Sequence, residues 1–367
     1  MTRAGNREWI VVDAHEDIAW NRMLFGRDIM LPVSESRERE RTTSIPDWVG
    51  ETMLGIPEYL AGNVSIVFAT LFLTPVRWQH GEWERIAYAD EEEAHQAYVR
   101  QLEEYRTLFE RFPDVLVPLE SNADLSSHLN ENDGGSNRVG LVLAMEGGDA
   151  IREPSEVGWW QERGVRIVGP AWSGTKYAGG THEPGPLTTA GRELLARMAE
   201  HDLILDISHM TDEGVHDALD RYPHSIIASH ANPRALLPGS AAPERHLSDD
   251  AIRGIAKRDG VIGIVLYNPF LKDGWRRGHP RNEVTLDHVA TAMDYICQLL
   301  GDAEHVGIGS DFDGCLGLDS VPAGLDSVAD LRFIGDTLVK WGYDHADVEA
   351  VLGMNWLRLL QRALPEG

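Results

Sequence analysis

The sequence predicts an α/β fold of the (β/α)8 TIM-barrel class. Eight short apolar runs rich in Val and Ile recur along it, and each is parted from the next by a longer amphipathic or polar stretch. The runs are Ile10–His15, Val64–Phe72, Gly140–Glu146, Arg166–Ala171, Leu203–His209, Ser225–His230, Val261–Tyr267 and Val306–Asp311. Near-continuous apolar runs are what parallel strands buried on both faces require. Eight of them alternating with helices close into a barrel. An open doubly wound sheet is the competing arrangement, but no Gly-rich phosphate fingerprint follows the first run.

Helices are expected between the runs. Trp83–Phe112 is long and charged on one side, and Thr188–His201 ends just before the fifth run. Thr211 stands as an N-cap with Asp212 and Glu213 in the first turn, and Ser248 plays the same part for Asp249–Arg258. Thr285–Leu300 precedes the eighth run, and Leu331–Trp341 and His345–Arg362 close the chain. Two segments break the alternation. Arg27–Gly62 carries a charged stretch, then Pro46 and Pro57, and reads as an insertion folding over the barrel mouth. Gly174–Pro186 is rich in Gly, Thr and Pro and reads as a loop at the same mouth. Neither has the composition of a linker, so residues 1–367 are expected to form one domain.

The chain has 367 residues, 43% of them hydrophobic and 25% charged, enough for one large core and too ordered for a fibrous or disordered class. Its 59 acidic and 33 basic residues leave a net charge of −26, which disfavours nucleic acid or an anionic membrane as a partner. Cys297 and Cys315 are its two cysteines, too few for a disulfide framework or a thiolate cluster. Any transition metal must then be held by His, Asp and Glu. No signal peptide, membrane span or lipid-anchor signal is visible, so a cytoplasmic location is expected.

Five of the eight runs end in a group able to bind a metal or move a proton. The first presents His15 and Asp17, two apart and so on one side. The third ends at Glu146, the fifth at His209, the sixth at His230, and the eighth at Asp311, with Asp313 just beyond. In a β/α barrel these ends share one mouth. Three histidines and two or three carboxylates suit Zn²⁺ or a similar first-row ion, and they exceed what one open site needs. Two ions sharing a carboxylate fit better, lowering the pKa of a bridging water and polarising a carbonyl, while a nearby carboxylate shuttles the proton. Taken singly, a His at a strand end is most often only a satisfied polar residue; the weight lies in the set. Asp13 and Asp206 read as structural or as partners that orient a ligand histidine, and Asp313 beside Gly314 reads as turn chemistry. His80, His95, His128, His201, His216, His224 and His305 are expected at the surface, and Trp159 and Trp160 in packing.

These residues resemble a known family. His15-Glu16-Asp17 with Trp20, then Glu146-Gly147-Gly148, Asp206-Ile207-Ser208-His209, Ser229-His230 and Gly309-Ser310-Asp311-Phe312-Asp313-Gly314 follow in order the motifs of the membrane (renal) dipeptidase family, peptidase family M19, of the amidohydrolase superfamily. The likeness runs from about Trp9 to about Leu360, through Gly353-Met354-Asn355-Trp356-Leu357-Arg358. It implies a zinc-dependent dipeptidase working through a hydroxide bridged by two zinc ions, with tolerance of a D-residue at the C-terminal side. By motif, His15 and Asp17 would bind one zinc, Glu146 would bridge, and His209 and His230 would bind the other. Asp311 would handle the proton, Arg245 would bind the substrate's terminal carboxylate, and Trp20 would line the pocket. A homodimer is also implied.

The sequence departs from the family in three places. After the fourth run the family has a histidine, thought to contact the scissile carbonyl, where this chain has Trp172. Indole offers one N–H donor and no charge. His182, a little further on, reads as an exposed loop residue. The segment between His230 and Arg245 is a few residues longer than usual, and His246 stands where the family has Asn. Two other readings therefore stay open: an amidohydrolase acting on an N-acyl amino acid, lactam or lactone, and a metal-binding barrel without catalysis.

Overall fold

The computed structural model describes residues 9–133 and 138–367. Each of the eight apolar runs forms a strand: β1 (Val11–Glu16), β2 (Val64–Leu71), β3 (Val139–Glu146), β4 (Val165–Gly169), β5 (Ile204–Asp206), β6 (Ile226–Ile227), β7 (Ile262–Ile264) and β8 (Val306–Ile308). Pairing is parallel throughout and follows chain order, with β8 returning to β1 through Asp13 and Ile308. The circle closes between β6 and β7 through a bridge from Ala228 to Ile262. There Ala228 N–H donates to Val261 O at 3.1 Å and Gly263 N–H to Ala228 O at 2.8 Å. Every residue of β1 to β4 is buried, which is why these runs show little polar alternation.

One apolar cluster draws on six successive strands of the circle, from Val12 and Phe68 through Val142, Ile167 and Ile204 to Ile227. Only the inside of a barrel brings these together. Trp356 from the C-terminal helix Asn355–Ala363 packs on this cluster, edge to face with Phe68 at 5.2 Å, and its Nε1 donates to Ile308 O at 3.1 Å. Gly263 and Gly309 flank the carbonyl of Ser229 so closely that a Cβ on either would sit 1.9 Å from that oxygen. Only glycine admits this approach.

Several elements differ from expectation. The long helix starts at Glu91 rather than near Trp83, because the Asp90 side chain accepts from the amides of Glu92 and Glu93, both at 3.0 Å, and so fixes the N-terminus there. Thr211 precedes Asp212–Arg221 but caps nothing with its side chain; its hydroxyl donates to Gly185 O at 2.7 Å. A ninth strand, Leu116–Pro118, lies outside the barrel against β3. Gly174–Pro186 contains most of an antiparallel pair, Ala178–Gly180 with Glu183–Leu187. Residues 27–62 include the short helices Val33–Glu40, Ile45–Val49 and Ile56–Ala61. His128 is buried against Ser65, not at the surface. Among the described residues no helix is long and apolar enough to cross a membrane.

Candidate metal centre and active site

The strand ends deliver the candidate ligands to one place. His15 lies within β1 and Asp17 just past it, Glu146 ends β3, and His209, His230 and Asp311 each stand three residues beyond β5, β6 and β8. All but Asp311 are buried, and Asp311 is half-buried. His209 (φ 67°) and Asp311 (φ 60°) adopt the left-handed conformation, so the chain turns sharply off the strand and aims the side chain across the mouth. Such a conformation costs on the order of 1–2 kcal/mol for a residue with a Cβ, and surrounding structure has to hold it.

Glu146 sits at the centre of the ligand set. Its Oε1 lies 2.9 Å from His209 Nε2 and 3.4 Å from His230 Nε2. Its Oε2 lies 3.4 Å from His15 Nε2. The donor atoms of His15, Asp17 and Asp311 fall within 4.8 Å of one another, and so do those of Glu146, His209 and His230. The carboxylate thus offers one oxygen to each of two neighbouring donor groups.

Hydrogen bonds behind the imidazoles set which nitrogen faces inward. The Ser229 hydroxyl donates to Asp206 Oδ2 at 2.5 Å, so its oxygen is left to accept from His230 Nδ1 at 2.8 Å. This places the proton of His230 on Nδ1 and leaves Nε2 as a lone pair. Asp206 is held by the amides of Ser208 and Ser229, at 2.9 and 3.0 Å, so its role is orientation of a ligand histidine. His209 Nδ1 meets Thr181 Oγ1 at 2.8 Å, contributed by the antiparallel pair. Asp17 accepts from Thr70, the penultimate residue before the end of β2. Asp13 accepts the Ser310 amide at 2.7 Å and ties β1 to the β8 loop.

The electrostatics ask for a cation. Burial, reinforced by Glu146, lifts the Asp17 carboxyl to about 7. Burial lifts Glu146 to about 8 despite Arg245, and Asp311 well above the usual carboxylate range. The same burial, with Arg245 nearby, holds His209 and His230 neutral. His15 Nε2 is buried and makes no hydrogen bond, while His209 Nε2 and His230 Nε2 face each other at 2.9 Å. Crowded carboxylates and converging imidazole lone pairs are the donor set that first-row ions bind.

A cavity opens above this floor. Asp17, Glu146, His209 and Asp311 line its base, and Trp20, Phe72, Trp172 and His80 its wall. His80, expected merely at the surface, reaches it from the loop after β2. Neither His80 nor Thr181 lies in a strand or beside a recognisable motif, so nothing in the sequence marked them. Arg245 is 4% exposed and lies outside the cavity wall, donating through Nη1 to His230 O at 3.0 Å, with its guanidinium 5.4 Å from the Phe270 ring centre. Asp313 is more than a turn residue. Its carboxylate accepts from the Met53 amide at 2.9 Å and Thr52 Oγ1 at 2.5 Å, with Arg27 Nη1 at 3.4 Å, so residues of the 27–62 segment grip the β8 loop. A larger hollow of about 820 Å³, lined by Leu203, His224, Lys257 and Arg362, lies at the opposite ends of the strands, away from these groups.

Comparison with known proteins places this geometry. The family model for membrane dipeptidase (peptidase family M19) matches residues 3–364. A Klebsiella pneumoniae protein known as the uncharacterised protein of the pqqA 5′ region is 32% identical over 233 residues, 61% of this chain and 82% of that protein. Dipeptidase aclJ of Aspergillus oryzae is 29% identical over 267 residues, 71% of this chain and 60% of its own length. Among solved structures, a metallopeptidase from Rhodobacter sphaeroides, liganded with a phosphinate mimic of the dipeptide L-Ala-D-Ala, superposes with a TM-score of 0.78 at 23% identity, covering 97% of this chain and 99% of that one. The M19 dipeptidase AC superposes equally well, at 0.78 and 22% identity, over 98% and 99% of the two chains.

Proposed function

This chain belongs to the membrane dipeptidase family, peptidase family M19, and from that premise we propose that it hydrolyses the amide bond of dipeptides with two zinc ions held at the barrel mouth, and accepts a D-residue at the C-terminal side. The observation that carries the reading is Glu146, whose two oxygens are divided between His15 on one side and His209 with His230 on the other. His15, Asp17 and Glu146 would hold one ion, and Glu146, His209 and His230 the other. When bound, such ions polarise a carbonyl and acidify a water at neutral pH.

The chain's own residues supply the rest. Asp311 stands among the donors of the first group, and burial gives its carboxyl a strong hold on a proton. It takes the proton from the attacking water and delivers it to the leaving amine. Arg245 offers a buried positive charge for the terminal carboxylate, where a guanidinium fork suits the two oxygens. Trp20 and Trp172 wall the cavity and keep bulk water from the reacting carbonyl.

Elemental analysis of the purified protein, coupled to a hydrolysis screen of L,L-, L,D- and Gly-containing dipeptides on the same preparation, tests this. About two zinc per chain with turnover is expected; two ions with no turnover of any dipeptide overturns it. Arg245→Ala should raise KM for dipeptides by about 30-fold or more, from the loss of a buried charge pair, yet leave dipeptide amides little changed. Equal effects on both would remove Arg245 from carboxylate recognition.

A further inference from the structure

The wall of the cavity is a closed circuit of aromatic rings. Trp20 packs edge to face on Phe25 with centres 5.4 Å apart, Phe25 stacks on Trp83 at 5.7 Å, and Trp83 on His80 at 6.2 Å. His80 meets Trp172 edge to face at 6.4 Å, Trp172 meets Phe72 at 5.2 Å, and Phe72 returns to Trp20 at 6.3 Å. Four of the six rings face the cavity itself.

The circuit is held in place. Glu84 is fully buried and accepts from the His80 amide at 2.9 Å and meets His80 Nδ1 at 3.1 Å, and Thr74 donates to it as well. His80 therefore stands fixed against Trp172, and Trp172 in turn lies 6.1 Å from the ring of His209. A wall pre-organised in this way takes an apolar group without first ordering its own side chains.

The rings after β1 and β2 lie across the mouth from Arg245, and Trp172 stands between, two strands from the β6 that Arg245 follows. Trp20 and Phe25 follow β1, Phe72, His80 and Trp83 follow β2, and Trp172 follows β4, whereas Arg245 follows β6. A dipeptide with its carboxylate toward Arg245 and its amide over Glu146 carries its other residue, the N-terminal one, to the rings. No Lys, Arg, Asp or Glu belongs to the circuit, so a charged side chain laid on the rings loses water without an ion partner in the wall, and the carboxylates at the cavity base are taken up by the metal donor set. A flat or branched hydrocarbon side chain instead meets ring faces and edges.

We propose that this chain selects dipeptides whose N-terminal residue has a large apolar or aromatic side chain, and that Trp172 is the residue that sets this preference. The inference rests on the dipeptidase reading above and names its substrate class.

The test is kcat/KM of the zinc-loaded protein on Phe-Gly, Leu-Gly, Ala-Gly and Lys-Gly, with Gly-Phe and Gly-Leu as reversed controls. Phe-Gly and Leu-Gly should exceed Ala-Gly by about 10- to 100-fold, the range that burial of a few methylenes supports, with Lys-Gly the poorest. The reversed pairs should show no such gain. Trp172→Ala should bring the Phe-Gly to Ala-Gly ratio to within about threefold of unity, and Trp172→Phe should restore most of it. A wild-type ratio near one overturns the proposal, and so does a Trp172→Ala variant that lowers Phe-Gly and Ala-Gly alike. Absence of turnover on every dipeptide removes the dipeptidase reading itself, and this proposal with it; turnover without preference removes the proposal alone.

Discussion

The floor of the cavity and its wall are joined to the barrel in different ways. Each floor residue hangs within three residues of a strand end, so sheet hydrogen bonds fix its position. The wall is mixed: Phe72 and Trp172 also stand within three residues of β2 and β4, Trp20 and Phe25 lie on the helix Ile18–Phe25, and His80 and Trp83 come from the loop after β2, where buried Glu84 holds His80. The floor presents carboxylates whose charged form burial disfavours until a cation joins them, and neutral imidazoles beside them; the wall presents hydrocarbon that burial favours. The polar groups thus all depend on the strands, whereas part of the apolar wall, His80 with Trp83, depends on a loop that can change while the floor stays.

Three substitutions press on that division, and the largest effect belongs to the floor. Asp311→Asn keeps shape but cannot accept and release a proton, so kcat should fall by about 10²- to 10⁴-fold with metal content unchanged. Equal background turnover by variant and wild type would make the floor a binding site only. Next comes the tie between floor and loops. Arg27 is buried and bonded to both Glu40 oxygens, at 2.9 and 3.0 Å, and stands beside Asp313. Arg27→Ala leaves both carboxylates uncompensated and should cost about 3–5 kcal/mol in urea unfolding. A loss under about 1 kcal/mol would mean that the 27–62 segment and the β8 loop are energetically separate. The smallest effect concerns the Arg245 flank. Burial, then Arg245 and Arg234, hold the His246 imidazole neutral down to about 3. The folded value lies below the unfolded one, so the unfolded chain takes up a proton first as pH falls below about 6.5. Stability should therefore drop by up to ~1.4 kcal/mol per pH unit from there toward 3, or ~2 kcal/mol by pH 5. His246→Asn should flatten that limb, and an unchanged slope in urea midpoints would show that His246 is not its source.

The same division explains what could be read in the sequence. The eight strands were legible because parallel strands write themselves as apolar runs, and the ligands because they follow those runs directly. Trp172 was visible only as a departure from a motif. His80 and Thr181 were not visible, since each reaches the site from a loop whose path depends on distant contacts: Glu84 for the one, the Gly185–Thr211 pairing for the other. The helix start at Glu91 was misplaced because residues 83–90 hold no Gly or Pro to break the mixed apolar and charged pattern, and only the Asp90 cap distinguishes helix from loop there.

The closing seam of the barrel has a consequence for motion. β6 is two residues long and β7 three, and the bridge between them is a single residue pair. Backbone opening costs least where the fewest hydrogen bonds must break together. The circle is therefore thin between Ala228 and Ile262, as it is between Asp13 and Ile308, and the first of these seams lies two residues from His230, whose carbonyl accepts from Arg245. A fluctuation there reaches the carbonyl that Arg245 holds, while His15 and Glu146, on the fully buried β1 and β3, keep their places.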